Sequence, residues 1–137
     1  VSGRSGEQMQ IGTVAARTEL SIRTVRHYDD VGLVTPSARS AGGFRLYTED
    51  DVHRLLVIRR MKPLGFTLAE MKDLLAALDV LDSGDATADQ RDAAVRCLRD
   101  YREKTQESAE RLRRQLAYAE EFAGVLAERA DSSPNNA

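Results

Sequence analysis

Four arginines in the first third of the chain have the spacing of a polyanion-binding surface. Arg23 and Arg26 stand three residues apart behind Ser21, and Arg39 and Arg45 flank a short Ser/Ala/Gly segment, with no acid between Val31 and Tyr47. Guanidinium groups so placed suit base and phosphate contacts on a nucleic-acid duplex. Other reactive groups are isolated. Cys97 is the only cysteine, so neither an internal disulfide nor a multi-thiolate metal site can be built, and its place is that of a small apolar residue beside a helical seam. His27 and His53 have no neighbouring ligands in sequence, and neither a metal nor a cofactor is expected. Asp50-Asp51 and Glu120-Glu121 read as helix caps and solvated faces. No Ser/His/Asp set, phosphate-binding glycine loop or apolar carboxylate pair is present, which argues against an enzyme.

The elements that would position those arginines follow from caps and breakers. Met9 to Ala16 is a short apolar-rich stretch read as a first helix, and Ser21 is an N-cap for a second, tightly joined helix over about Ile22 to Asp30, stopping near Gly32 with Val25 and Val31 available to face inward. Pro36 forbids continuation. Phe44-Arg45-Leu46-Tyr47 alternates as the second strand of a small hairpin. Thr48-Glu49-Asp50-Asp51 and Thr67-Leu68-Ala69-Glu70 have the form of capping boxes, the first opening a helix that ends near Pro63-Leu64-Gly65. Leu68, Met71, Leu74, Leu75 and Leu78 then follow helical spacing. A third box, Thr87-Ala88-Asp89-Gln90, starts a helix that nothing strongly interrupts before Ala130 except Gly124.

That last helix carries a heptad seam at Leu98, Tyr101, Thr105, Ser108, Leu112, Gln115, Ala119, Phe122 and Leu126, widened by Ala109, Leu116 and Ala123. From 88 to 130 it would be roughly 65 Å long, against about 30 Å for the unit before it. The stripe therefore needs a cover, and a second copy of the chain supplies one economically. The polar seam residues leave the orientation of the pair open.

The 137 residues are 42% hydrophobic and 31% charged, with 3 Phe, 4 Tyr and no Trp, so aliphatic side chains must fill the core and a mainly α fold is expected. The net charge of −2 conceals a division. Residues 1–78 hold 11 Lys+Arg against 9 Asp+Glu, and the remainder holds 9 against 13. The expected domains are a disordered arm at 1–8, a winged helix-turn-helix at 9–78, a linker at 79–87, a coiled-coil dimerisation helix at 88–130 and a disordered tail at 131–137. No apolar run approaches the ~20 residues of a membrane span, and Val1 to Gln10 lacks the hydrophobic stretch of a secretory signal. A cytoplasmic location is expected. The closing ADSSPNNA is too short and polar to make a ligand-sized domain.

Five segments in order carry a family likeness: Ile11-Gly12-Thr13-Val14-Ala15, Thr24-Val25-Arg26-His27-Tyr28-Asp29, Gly32-Leu33-Val34-Thr35-Pro36, Gly43-Phe44-Arg45-Leu46-Tyr47 and Leu64-Gly65-Phe66-Thr67-Leu68. With them, the chain resembles bacterial transcription regulators of the mercury-resistance-regulator (MerR) type over residues 10 to 78. The resemblance implies a winged helix-turn-helix followed by a long helix pairing antiparallel with its twin. It also implies a promoter with an overlong spacer, distorted to realign its elements, with RNA polymerase as a further partner. It places Arg23, Thr24, Arg26 and His27 on the recognition helix, a phosphate contact on Tyr28, and the wing on Arg39, Phe44, Arg45 and Tyr47. Phe44 replaces the family's usual Tyr, and Tyr47 is chiefly a packing residue with a phosphate contact through its hydroxyl as the lesser role. Arg60 and Lys62 precede a second wing. Leu98, Tyr101, Thr105, Leu112, Leu116, Ala119, Phe122 and Leu126 are the dimerisation residues. Cys97 matches neither position where a metal sensor of this type would carry cysteines, and the small-molecule effector is left unknown: regulation is either ligand-independent or runs through a small pocket between the front domain and the long helix. The competing class is a coiled-coil adaptor that grips a protein, which would not need Arg26, Arg39 and Arg45 together.

Overall fold

Capping side chains mark the starts of the helices. In the computed structural model, which describes residues 7–133, Ser21 Oγ accepts from Thr24 N at 3.0 Å and opens α2 (Ile22–Asp30). Thr48 and Asp51 form a reciprocal capping box at the start of α3 (Glu49–Met61), and Thr67 and Glu70 form another at α4 (Leu68–Asp82). Thr87 and Gln90 exchange the same pair of bonds, at 2.8 and 3.1 Å, ahead of α5 (Ala88–Ser132). Before these lie β1 (Met9–Gln10) and α1 (Ile11–Thr18), and between α2 and α3 lie β2 (Ala38–Arg39) and β3 (Arg45–Tyr47). A 3-10 turn over Lys62–Leu64, ended by Gly65 at φ 85°, links α3 to α4, so Pro63 stops the α-helix at Met61.

The fold is mainly α, a winged helix-turn-helix followed by a long helix. The three strands form one antiparallel sheet in the order β1-β3-β2, with Met9 opposite Tyr47 and Arg39 opposite Arg45. Behind it, Val14, Val25, Leu33, Val34, Val52, Leu55, Ile58 and Leu75 are sealed from solvent. Each such side chain contributes about 1.5–3 kcal/mol on transfer from water.

Several expectations are corrected. The first helix does not begin at Met9: Met9 and Gln10 are extended and pair with β3, and α1 instead runs on to Thr18, whose Oγ1 bonds back to Val14 O at 2.8 Å. On α2 the second inward residue is Tyr28, three residues after Val25, whereas Val31 is only half-buried. The linker expected from 79 begins at Ser83, because α4 continues through Val80 and Leu81, both half-buried, to Asp82. α5 persists past 130 to Ser132, with Ser133 Oγ donating to Arg129 O at 3.0 Å. Residues 1–6 of the expected arm and 134–137 of the tail lie outside the described residues.

The chain divides into two compact units after Cys97. The first turns of α5 thus belong with the front unit. Ala94 is buried, Arg91 donates to Ser83 O at 3.0 Å, and Cys97 Sγ lies 3.4 Å from an Asp73 carboxylate oxygen. In the second unit two of the polar seam residues are satisfied within the helix: Thr105 Oγ1 donates to Tyr101 O at 2.7 Å, and Ser108 Oγ accepts from Arg111 at 3.0 Å.

Candidate nucleic-acid interface

The turn that presents α2 is unusual in its chemistry. Glu19, in the left-handed region at φ 58°, joins α1 to Ser21, a conformation that is uncommon for any residue but glycine, Asn or Asp. Arg59 of α3 braces this turn, donating to Thr18 O at 2.8 Å and pairing with Glu19 at 3.2 Å. Arg17 and Glu49 tie α1 to α3 by a two-pronged contact, one prong at 2.9 Å. That hydrogen bond holds the Glu49 carboxyl below the usual carboxylate range. A carboxyl depressed on folding stabilises the fold above its unfolded pKa and loses that share as pH falls through the folded value. The stability difference between wild type and Glu49→Gln is therefore expected to stay level from pH 7 to about pH 5 and to shrink only below about pH 4.3, the ordinary glutamate value; urea midpoints measured from pH 7 down to about pH 3 would check it, and a difference that does not shrink at the acid end would refute it.

On α2, Val25 and Tyr28 point into the core, leaving Arg23, Arg26 and His27 exposed on the outward face and Thr24 half-exposed beside Ser21. Neither Arg23 nor Arg26 engages a carboxylate among the described residues. Tyr28 is only 4% exposed, and burial pushes its hydroxyl above the ordinary value, so the group stays protonated. Its first role is packing.

The wing departs most from the sequence expectation. Arg39 and Arg45 were placed on a surface free of acid, yet both turn toward Asp29 in the last turn of α2. Arg45 Nε donates to Asp29 Oδ2 at 2.6 Å, Arg39 donates to the same oxygen at 3.3 Å, and Asp30 lies 3.7 Å from Arg45. The Asp29 hydrogen bond raises the Arg45 guanidinium above its ordinary value. The four arginines thus form two sets, a pair on α2 that meets no carboxylate among the described residues and a pair on the wing tied to Asp29. Phe44 sits at the wing tip, 64% exposed. The tip is closed by Ser40 N donating to Phe44 O at 2.8 Å and Gly43 N to Ser40 O at 2.9 Å, with Gly43 at φ 82°. Arg60 and Lys62 are exposed at the end of α3, set apart from α2 along the chain by the wing.

Tyr47 is corrected. It is fully buried beneath the sheet, so a phosphate contact is closed to it, and its hydroxyl is sealed without a hydrogen-bond partner among the described residues. Burial pushes this phenol up to about 12. Removing an unsatisfied buried hydroxyl relieves a desolvation penalty. Tyr47→Phe is expected to leave duplex binding unchanged and to raise stability by about 1 kcal/mol, read from urea unfolding; a clear loss of stability would mean that the hydroxyl is bonded.

Asp29 and Arg59 were not singled out from the sequence. A signal for Asp29 existed: acids at a helix C-terminus oppose the helix dipole, so Asp29-Asp30 there calls for a facing cation. No comparable signal marks Arg59, because its partner carbonyl lies 41 residues away. Of the eight dimerisation residues, Leu98 is half-buried and Tyr101 buried in the single chain, while Leu112, Leu116, Phe122 and Leu126 are about half exposed or more and Thr105 and Ala119 are also exposed. Among the described residues no cluster of three His, Cys, Asp or Glu is arranged to hold a metal ion, and no helix is long and apolar enough to cross a membrane.

A two-helix reader with an exposed arginine face, flanked by a hairpin whose arginines are tied to Asp29, defines the class of winged helix-turn-helix transcription regulators, not enzymes. Within it, the chain belongs to the MerR family: the family model for the MerR HTH regulatory protein matches residues 9–78, and that for the MerR DNA-binding region matches residues 52–119. The transcriptional regulator HmrR of Rhizobium leguminosarum bv. viciae is 39% identical over 110 residues, covering 80% of this chain and 82% of HmrR. The lead(II)-bound regulator PbrR691 of Ralstonia metallidurans CH34 is 32% identical with a TM-score of 0.51, over 80% of this chain and 83% of that one. HiNmlR, a MerR regulator lacking the sensor domain and bound to promoter DNA, shares the fold at a TM-score of 0.73 and 18% identity, over 92% and 95% of the two chains.

Proposed function

We propose that this chain binds duplex DNA sequence-specifically as a homodimer on a pseudo-palindromic promoter element and regulates transcription by distorting that DNA. The observation that carries the proposal is the outward face of α2, where Arg23, Arg26 and His27 stand exposed with neither arginine on an acid among the described residues. Inserted in a major groove, such a face contacts base edges while the wing and the end of α3 follow the backbone. The dimer is supported by α5, whose Leu112, Leu116, Phe122 and Leu126 present a long uncovered apolar stripe. An antiparallel pairing of two such helices gives a two-fold axis and hence a dyad-symmetric site. Distortion follows from the family likeness, and a bend of 40–90° costs of order 1–6 kcal/mol, within reach of contacts from two recognition helices and two wings. RNA polymerase at the same promoter would read the altered geometry.

The test uses the full chain. A duplex recovered from a random-sequence pool should show dyad-symmetric footprint protection, affinity that falls steeply with salt, and altered mobility when the site is moved along a fragment. A chain that retards no duplex, or binds with no salt dependence, would overturn the proposal and favour a protein-binding module.

A further inference from the structure

Asp29 is placed where two unfavourable arrangements meet. It stands at the C-terminal end of α2, where the helix dipole opposes an acid, and its side chain is only 10% exposed. Arg39 and Arg45 face one another at paired positions of β2 and β3, and like charges directly opposite weaken a strand pair. A single carboxylate oxygen answers both conflicts, receiving Arg45 Nε at 2.6 Å and Arg39 at 3.3 Å. Both strands of the wing are thereby tied to the last turn of the helix that carries Arg23 and Arg26. The pairing is geometric as well as electrostatic, because Nε of Arg45, close to the backbone, is the donor and leaves little slack.

We infer that Asp29 is a positioning residue for DNA discrimination: it fixes the wing relative to the recognition helix and withholds two wing guanidiniums from indiscriminate phosphate contact. The inference rests on the DNA-binding reading above. Base contacts by α2 discriminate only when phosphate contacts by the wing hold the helix in register. A wing released from Asp29 would still attract phosphate, and more strongly, but would no longer impose that register.

The experiment measures Asp29→Asn, which keeps the shape and removes the charge, against wild type on the duplex recovered from the random pool and on a scrambled duplex of equal length. Anisotropy titrations over a series of salt concentrations should show scrambled-duplex affinity equal to wild type or higher, with a log–log salt slope steeper by about one. The ratio of specific to non-specific affinity should fall about tenfold, the scale of one lost base-level preference. An unchanged ratio, or equal weakening on both duplexes with no change of slope, would overturn the inference and leave Asp29 a structural residue. Should Asp29→Asn fail to melt cooperatively, Arg45→Lys, which keeps both charges but loses the Nε donor, carries the test with the same ratio criterion. Failure of wild type to discriminate between the duplexes would instead refute the DNA-binding reading itself.

Discussion

Changing Arg23 and Arg26 together to alanine is expected to weaken binding to the recovered duplex by about two to four orders of magnitude, while leaving the unfolding midpoint almost unmoved. Each arginine at a base or phosphate is worth about 1–3 kcal/mol, and the two stand on adjacent turns of the same exposed face. Neither belongs to the core, which α2 reaches through Val25 and Tyr28, and exposed substitutions of this kind usually change stability by no more than about 0.5 kcal/mol. Alanine also suits a helix better than arginine does. Affinity and folding are therefore separable here. They are not separable at the wing, where removing Arg45 would strip the half-buried Asp29 of its nearest cation. Gel-shift titration and thermal melting of the same preparation decide the matter, and wild-type affinity in the double variant would mean that α2 is not the reading element.

Leu112→Glu combined with Leu116→Glu is expected to convert the proposed dimer to a monomer and to lower duplex affinity by about a hundredfold or more, because the second half-site no longer binds at high effective concentration. In the single chain these leucines are 49% and 58% exposed, so no intrachain core is lost when they change. Glutamate is a good helix former, and α5 should keep its circular dichroism. Carboxylates introduced into an apolar seam would cost far more on burial than the seam gains there. Light scattering after size exclusion gives the mass directly. A variant that remains dimeric would place the interface elsewhere on the chain.

Much of this architecture is legible in the sequence because it depends on local chemistry. Ser21, Thr48, Thr67 and Thr87 announce helix starts through bonds that span three residues, and the apolar spacing of α4 needs no tertiary knowledge. What escaped is non-local. β1 is two residues long and exists only through its pairing with Leu46 and Tyr47, too short for alternation to show. The first turns of α5 follow a linker yet belong with the front unit, since Arg91 reaches Ser83 O and Cys97 lies beside Asp73, partners that no spacing along the helix announces. The site was legible as a list of arginines but not as a geometry. Counting acids between Val31 and Tyr47 looked along the chain, whereas the acid that matters arrives from α2 across the fold.

The hairpin is anchored at its root as well as along its length. Asp51 Oδ2 accepts from Ser37 Oγ at 2.7 Å, just before β2, and from Thr48 N at 2.9 Å, just after β3, so one carboxylate holds both ends while Asp29 holds the middle. Only the tip is left outside this scaffold. There Gly43 is constrained by its positive φ, and a side chain at Gly42 would press on the Phe44 ring at 3.2 Å. Ala41 and Phe44 itself are exposed and bear no weight in the core. Their identities are thus open to drift at little cost to folding, which makes the wing tip the part of the molecule where DNA preference can diverge between descendants, or be retuned by selection in the laboratory, while the rest of the reader stays the same.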